Sequence, residues 1–413
     1  MERVILHCDM NNFYASVECM LDPSLASFPI AVCGSENDRH GIVLAKNEKA
    51  KAAGVRTAEP IWQAMRKCPD LKVLSPHFDE YVRISRAVRR IYERYTDLVE
   101  SFGLDECWLD CSASVRLFGS GEEIAKELRR AVKEELGLSI SVGVSFNKVF
   151  AKLASDMKKP NAITVISKEN FRDVAWQLPA EVLLGVGRST GARLKTIGIS
   201  TIGDLAVFPE APIYRLLGSV GRDLRRFALG LDFSAVESKE DESPDQSLGH
   251  GITTAEDLTS SSDVETLILS LTEEIGHRLF LYHRHAEGIS VSVRDSRLQT
   301  KEWQCKLSSP TQSARTLARE AYELFKRSYG WENPLRSVTV RAIGLSSSEL
   351  SGQIGIFDNE RYVKGETLDR AVDEIRHRFG LGAIRAASLF GTAGKKKLPS
   401  RRERCALPAG ARF

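Results

Sequence analysis

GLDECWLD, residues 103–110, sets two adjacent acids, Asp105 and Glu106, in an otherwise apolar run that a third acid, Asp110, closes. Along a regular strand neighbouring side chains point to opposite faces, so these two carboxylates would diverge. Leu98 to Phe102 and Glu106 to Asp110 instead read as the arms of a hairpin turning at Gly103-Leu104-Asp105. Near a turn the backbone leaves strict alternation, and neighbouring side chains can converge on one side. A further acid, Asp9, ends the first apolar run of the chain, Arg3 to Cys8. In a sheet that lays this run beside the hairpin, Asp9, Asp105 and Glu106 meet. Three carboxylates at bonding distance raise one another's pKa unless cations compensate. Mg²⁺, which prefers oxygen ligands, suits such a cluster when substrate phosphates complete its shell. Two such ions a few ångströms apart would serve phosphoryl transfer. By spacing alone, three surface acids at strand ends remain the alternative.

Outward from the hairpin, strands and helices alternate. Arg3 to Cys8, Pro29 to Cys33 and Ile42 to Ala45 have strand length, and Lys46 to Ala53 and Ile61 to Lys67 read as short helices. Between Phe78 and Tyr95, apolar residues recur at Tyr81, Ile84, Ala87, Val88, Ile91 and Tyr95, the spacing of one helix face. After the hairpin come a helix from Glu122 to Leu136, a strand from Ser139 to Val144 and a helix from Lys148 to Met157. Strand, helix, hairpin, helix, strand is the split βαβ plan of ferredoxin-like domains, with an insertion between Met10 and Pro76.

Leu178 to Phe233 is helical and rich in glycine turns. Gly185-Val186-Gly187 precedes a helix, and Gly198 and Gly203 mark a second turn. Glycine turns opening helices can present N–H groups to phosphate, as in helix-hairpin-helix elements; tight turns in a small bundle are the equal alternative. Val236 to Ser247 is polar and reads as a linker. A second mixed unit follows. Ser262-Asp263-Val264-Glu265 resembles a capping box opening a helix to about His283. Strands at Gly288 to Arg294 and Glu302 to Ser308, a helix at Gln312 to Tyr329 and a strand at Ser337 to Leu345 complete it. The sheet would carry Arg294, Lys306 and Arg341, a face able to follow a phosphate backbone, although acids and bases balance across this unit. From Gly394 the sequence is basic, with Lys395, Lys396, Lys397, Arg401, Arg402, Arg404 and Arg412 against Glu403, a composition suited to loose DNA contact.

The net charge of +3 argues for no particular partner. No apolar run is long enough to cross a bilayer, and the expectation is a soluble, cytoplasmic protein. The 8 cysteines include no CxxC pair or zinc-like spacing, so reduced thiols are expected rather than a disulfide framework.

Three long motifs carry a resemblance: ILHCDMNNFYASVE at 5–18, GLDECWLD at 103–110, and SVGVSFNKVFAKLASDMKKPN at 141–161. In order and spacing the chain resembles the Y-family translesion DNA polymerases of the DNA polymerase IV type over nearly its whole length. That resemblance implies an α+β multidomain fold: a ferredoxin-like palm at 1–10 and 77–167, a fingers insertion at 11–76 and a helical thumb with helix-hairpin-helix turns at 168–235. A linker at 236–247, a separate α+β little finger at 248–345 and a C-terminal tail at 346–413 would follow. It implies low-fidelity, template-directed DNA synthesis opposite damaged bases, using primer–template DNA, deoxynucleoside triphosphates and two Mg²⁺ ions. Asp9, Asp105 and Glu106 would be the catalytic metal ligands, with the Met10 carbonyl beside them. Amides around Asn11, Asn12 and Phe13 would receive the triphosphate, and Tyr14 would be the steric gate against a ribose 2′-OH. Lys159 matches a triphosphate-binding lysine, while Lys148 and Lys152 are left undecided.

The fingers depart from the family pattern. Glu48 and Lys51 stand where a Tyr and an Arg usually hold the phosphates; lysine supplies charge but not a fork. Gly103 replaces a frequent Ser, and Asn11 a frequent Asp. Gly185, Gly187, Arg294 and Arg341 are candidate DNA contacts. Gln353, Ile354, Ile356 and Phe357 resemble the motif by which bacterial polymerases bind the sliding clamp, the β subunit of the replicative polymerase. A monomer is expected. A non-catalytic DNA-binding subunit and a Mg²⁺-dependent structure-specific nuclease are the alternative readings.

Overall fold

The computed structural model describes residues 3–34, 41–238, 246–347, 360–380 and 382–389. They fall into two compact units, one ending before 243 and the other following it.

In the first unit the strands are β1 (Ile5–Met10), β2 (Ile30–Cys33), β3 (Val43–Lys46), β4 (Lys72–Leu74), β5 (Val99–Phe102), β6 (Glu106–Asp110), β7 (Ile140–Ser145) and β8 (Ile163–Ile166). The main sheet runs β5-β6-β1-β7-β8. β1 is antiparallel to both β6 and β7, so its first four members have the split βαβ order expected from sequence, and β8 adds a parallel edge. β2, β3 and β4 form a small separate sheet in the insertion.

The main sheet is covered on both faces. Leu6, Cys8, Cys107, Leu109 and Val142 pack in a core with Tyr81, Ile84, Val88, Ile91 and Tyr92 of the helix Phe78–Tyr92, and with Ile124, Leu128 and Val132 of Gly121–Leu136. His7, Asp9 and Gly143 alternate with those residues and face the helix Lys148–Met157 instead. That helix lies close because position 143 has no side chain. A Cβ there would stand 1.9 Å from the Ala151 carbonyl oxygen and 2.5 Å from the Ser155 nitrogen. Asn147 starts the helix by accepting the Phe150 N–H at 2.8 Å, and the indole of Trp108 donates to the Lys148 carbonyl at 3.0 Å. The sequence of this helix therefore fixes not only its formation but its seat on the sheet, and its Lys152 reaches Glu106, the residue opposite Asp9.

Residues 171–228 form short helices around Leu194, Ile202, Leu205, Ile213 and Leu224. In the second unit, β9 (Ser247–Leu258), β10 (Arg284–Asp295), β11 (Thr300–Thr311) and β12 (Leu335–Ser347) form a sheet ordered β11-β10-β12-β9, antiparallel throughout. The helices Ser261–Leu281 and Ala314–Ser328 supply its apolar layer.

Several element expectations need correction. β9 was not assigned as a strand, and Ser247, read as the end of the linker, is already its first residue. The helix cap is Ser260, which accepts the Asp263 N–H, not a box beginning at Ser262. The stretch read as a tail from 346 contains a helix, Glu360–Phe379. Its Arg376 is paired with Glu273 at 2.9 Å, and its Asp373 lies 3.4 Å from His277, both on the helix Ser261–Leu281. Gln353, Ile354, Ile356 and Phe357, and the basic segment from Gly394, lie outside the described residues.

Candidate active site

Register answers how two neighbouring acids serve one place. Asp9 lies directly opposite Glu106, so both side chains stand on the same face of the sheet. Asp105 is the last residue of the turn, and its carbonyl accepts the Met10 N–H at 2.9 Å. Gly103 makes the turn with φ +86°, a conformation glycine takes without strain. Ser85, from the helix Phe78–Tyr92, pins it by donating to the Leu104 carbonyl at 2.5 Å. All three acids line one cavity of about 250 Å³, together with Met10, Asn11, Asn12, Phe13, Lys46, Glu48, Lys51, Thr57 and Lys159.

The three carboxylates are electrostatically unequal. Burial raises Asp9 to about 7, with Glu106 and Asp105 adding repulsion against the pull of Lys159. Burial and the charge of Glu106 raise Asp105 to about 6. Burial would raise Glu106 too, but His7 and Lys152 beside it hold it down to about 2. Lys152 donates to Glu106 Oε2 at 2.6 Å and Lys159 to Asp9 Oδ2 at 2.7 Å. His7 is fully buried, with Nδ1 2.8 Å from Ser155 Oγ. Its Nε2 stands 3.3 Å from Glu106 Oε2 but has no well-aligned hydrogen-bond partner. Burial lowers its pKa, against an upward pull from Glu106.

The donor set is oxygen-only and anionic, the chemistry of a hard divalent cation. Two buried acids whose ionisation is opposed by burial and by each other are what a cation would relieve. Among the described residues, however, no three His, Cys, Asp or Glu side chains are grouped tightly enough to hold a metal as they stand. Two of the acids are held by lysines instead.

On the nucleotide side, Asn12 and Phe13 open the helix Phe13–Leu21 and line the cavity. Asn11 departs from the expectation for its amide. Its N–H already donates to the Ser139 carbonyl at 2.9 Å. Its side chain is buried, donating to Ser141 Oγ at 2.9 Å and accepting the Asn161 N–H at 2.8 Å. It braces β1 against β7 and is not free to meet a phosphate. Asn12 sits at φ +50° and donates to Glu48 Oε1 at 3.0 Å, while Lys51 lies 3.5 Å from the same oxygen. Glu48 therefore turns toward Asn12 and Lys51 rather than standing alone. Lys46, which sequence reasoning did not select, lines the same wall and donates to Thr57 Oγ1 at 2.9 Å. Burial first, then Lys51, lowers its pKa.

Tyr14 is half-buried and stacks on Tyr81, with ring centroids 4.3 Å apart and planes 10° from parallel; Phe78 meets it edge-on. Glu18 accepts from the Tyr81 hydroxyl and lies 3.0 Å from His77 Nδ1. Tyr14 is thus set by an aromatic stack beside the cavity, not within its lining. The undecided lysines also find places: Lys148 donates to Glu100 at 2.6 Å, and Lys152 holds Glu106. Gly185 has φ +89°, and Gly187 caps the helix Arg188–Lys195. By register, Arg294, Lys306 and Arg341 share one face of the second sheet, where Arg341 pairs with Glu302 at 3.3 Å.

Residues 8–156 match the model of the impB/mucB/samB family, and residues 245–356 that of the same family's C-terminal domain. The chain belongs to this family, the Y-family of translesion DNA polymerases. It is 47% identical over 399 residues to DNA polymerase IV of Acetivibrio thermocellus, covering 96% of this chain and 100% of that protein. It is 35% identical over 384 residues to DNA polymerase IV 1 of Bacillus subtilis, covering 93% and 92%. Among solved structures a chimeric Y-family DNA polymerase superposes with a TM-score of 0.75 at 22% identity, over 83% of this chain and 99% of that one. The α+β multidomain fold expected from the sequence is the fold found. Y-family polymerases are metal-dependent, and this one acts on primer–template DNA and deoxynucleotides. No helix among the described residues is long and apolar enough to cross a membrane.

Proposed function

We propose that this polymerase performs templated nucleotidyl transfer at the cavity of Asp9, Asp105 and Glu106, with these carboxylates and the Met10 carbonyl holding two Mg²⁺ ions. The observation that supports it best is the strand register setting Asp9 opposite Glu106, with Asp105 one residue away at the turn. Bound there, the cations would supply activation of the primer 3′-oxygen and neutralisation of the leaving pyrophosphate. The protein's own part is positioning. The N–H groups of Asn12 and Phe13 at a helix start, with Lys51 and Lys159, bind and orient the triphosphate. Lys46 adds charge to that wall. Tyr14, stiffened by its stack on Tyr81, rejects a sugar carrying a 2′-OH.

Glycine turns at Gly185 and Gly187 and the basic residues Arg294 and Arg341 are assigned to the DNA backbone. The segment Gln353 to Phe357 is assigned to the sliding clamp: Ile356 and Phe357 offer apolar anchors and Gln353 a polar rim contact. The working state is a cytoplasmic monomer. Primer extension with Mg²⁺ and deoxynucleotides tests the reading: lengthening supports it, whereas an unchanged primer points to a non-catalytic subunit and a shortened one to a nuclease.

A further inference from the structure

Two of the three acids assigned to the cations are held by lysines from one stretch of chain. Lys152 Nζ lies 2.6 Å from Glu106 Oε2, and Lys159 Nζ lies 2.7 Å from Asp9 Oδ2. The same two ammonium groups share a second carboxylate, Asp156. Its Oδ1 is 2.8 Å from Lys159 and its Oδ2 is 3.4 Å from Lys152. The helix explains the arrangement: Lys152 and Asp156 are four residues apart on one face, and Lys159 follows three residues later. Asp156 is half exposed and does not line the cavity, while the two ligands it competes with do.

A divalent cation and an ammonium cannot both take the near oxygens of Asp9 or Glu106. Within a few ångströms they repel, and the partly buried setting screens that repulsion poorly. A lysine leaving for bulk water would have to exchange a short ion pair for hydration. One leaving for Asp156 keeps a carboxylate partner and moves little.

We propose that Asp156 is a positioning residue for cation entry: it receives Lys152 and Lys159 when the cations displace them from Glu106 and Asp9. In the cation-free protein the lysines keep both ligands charge-compensated. In the loaded protein Asp156 holds Lys152 away from the ions and leaves Lys159 near enough to reach the triphosphate. This rests on the assignment of Asp9, Asp105 and Glu106 as cation ligands. It adds a residue that touches neither metal nor substrate.

The test is Mn²⁺ binding to the full-length protein without DNA or nucleotide, followed by the electron paramagnetic resonance of free Mn²⁺, so that no turnover is required. Asp156→Asn weakens binding by about three- to tenfold, the range for loss of one or two partly exposed ion-pair partners. Asp156→Glu stays within about twofold of the parent. Lys152→Met alone strengthens binding, because Glu106 is no longer occupied. The deciding comparison is Asp156→Asn in a chain that also carries Lys152→Met and Lys159→Met. If Asp156 acts through the lysines, the substitution there no longer changes affinity. An equal weakening with and without the lysines shows plain long-range attraction between Asp156 and the ion, and overturns the proposal. So does parent-like binding by Asp156→Asn in a protein with an unchanged melting temperature. If Mn²⁺ binding survives intact in a Asp105→Asn, Glu106→Gln chain, the ligand assignment itself fails and this inference falls with it.

Discussion

Replacing Asp105 by Asn should make the cation-free protein more stable while removing its activity. Asp105 is largely buried at the hairpin turn beside Glu106, and its carboxyl is raised from 3.8 to about 6. The cause is burial first and the charge of Glu106 second. An acid with a raised pKa in the folded state binds its proton more tightly there than in the unfolded chain. Stability therefore falls as pH rises through the interval from about 4 to 6, and the penalty is complete above it. At 1.36 kcal/mol for each pH unit of difference, the full penalty is about 3 kcal/mol; relaxation around a partly accessible carboxylate reduces this to about 1–2 kcal/mol. Asn keeps the shape and removes the charge. In a buffer with chelator at pH 7.5, the melting temperature of Asp105→Asn should lie about 2–8 °C above the parent. The gap should narrow as pH falls through 4 and close near pH 3, where the parent carboxyl is protonated in both states. Added Mg²⁺ should raise the parent's melting temperature and leave the variant nearly unmoved. A variant equal to or less stable than the parent at pH 7.5 in chelator would refute the argument that Asp105 is held at an electrostatic cost.

Two further outcomes follow from the geometry. Tyr14→Ala should incorporate ribonucleotides that the parent rejects, measured as the ratio of deoxynucleotide to ribonucleotide kcat/KM; an unchanged ratio would remove Tyr14 from sugar discrimination. Alanine at Gln353, Ile356 and Phe357 together should abolish stimulation of primer extension by the sliding clamp while leaving unstimulated extension intact, and equal stimulation of variant and parent would leave that segment without its assigned role.

How much of this is legible in the sequence depends on which force shaped each element. The helices Ile61–Lys67 and Lys148–Met157 and the strand Glu106–Asp110 were read with their observed limits, because apolar spacing and a glycine turn mark them locally. β9 was missed since Gly249 and Gly251 dilute its alternation. Gly251 lies opposite Thr339, and a Cβ there would stand 2.2 Å from the Thr339 Oγ1, so the glycine serves pairing with β12 rather than a loop. The helix Glu360–Phe379 was missed because part of its contact with the helix Ser261–Leu281 is ionic. Asp373 and Arg376 are buried there beside His277 and Glu273, and a search for apolar stripes passes over such a face.

At the site, the three acids could be suspected from strand ends, and the family motifs named them. The surroundings could not be read the same way. His7 looks like one more member of an apolar strand, and Lys152 and Asp156 look like solvated helix charges. Their relation to Glu106 arises only when the helix Lys148–Met157 settles over Gly143. The resemblance also suggested the Asn11 amide as a phosphate contact, and the pairing of β1 with the start of β7 claims it.

The most direct test of the central claim is primer extension by Glu106→Gln, measured beside its affinity for the same primer–template. Gln keeps the side chain's size and one carbonyl oxygen while removing the charge opposite Asp9. Extension should be lost to the limit of detection, with DNA affinity close to the parent's. Extension at the parent's rate would contradict it.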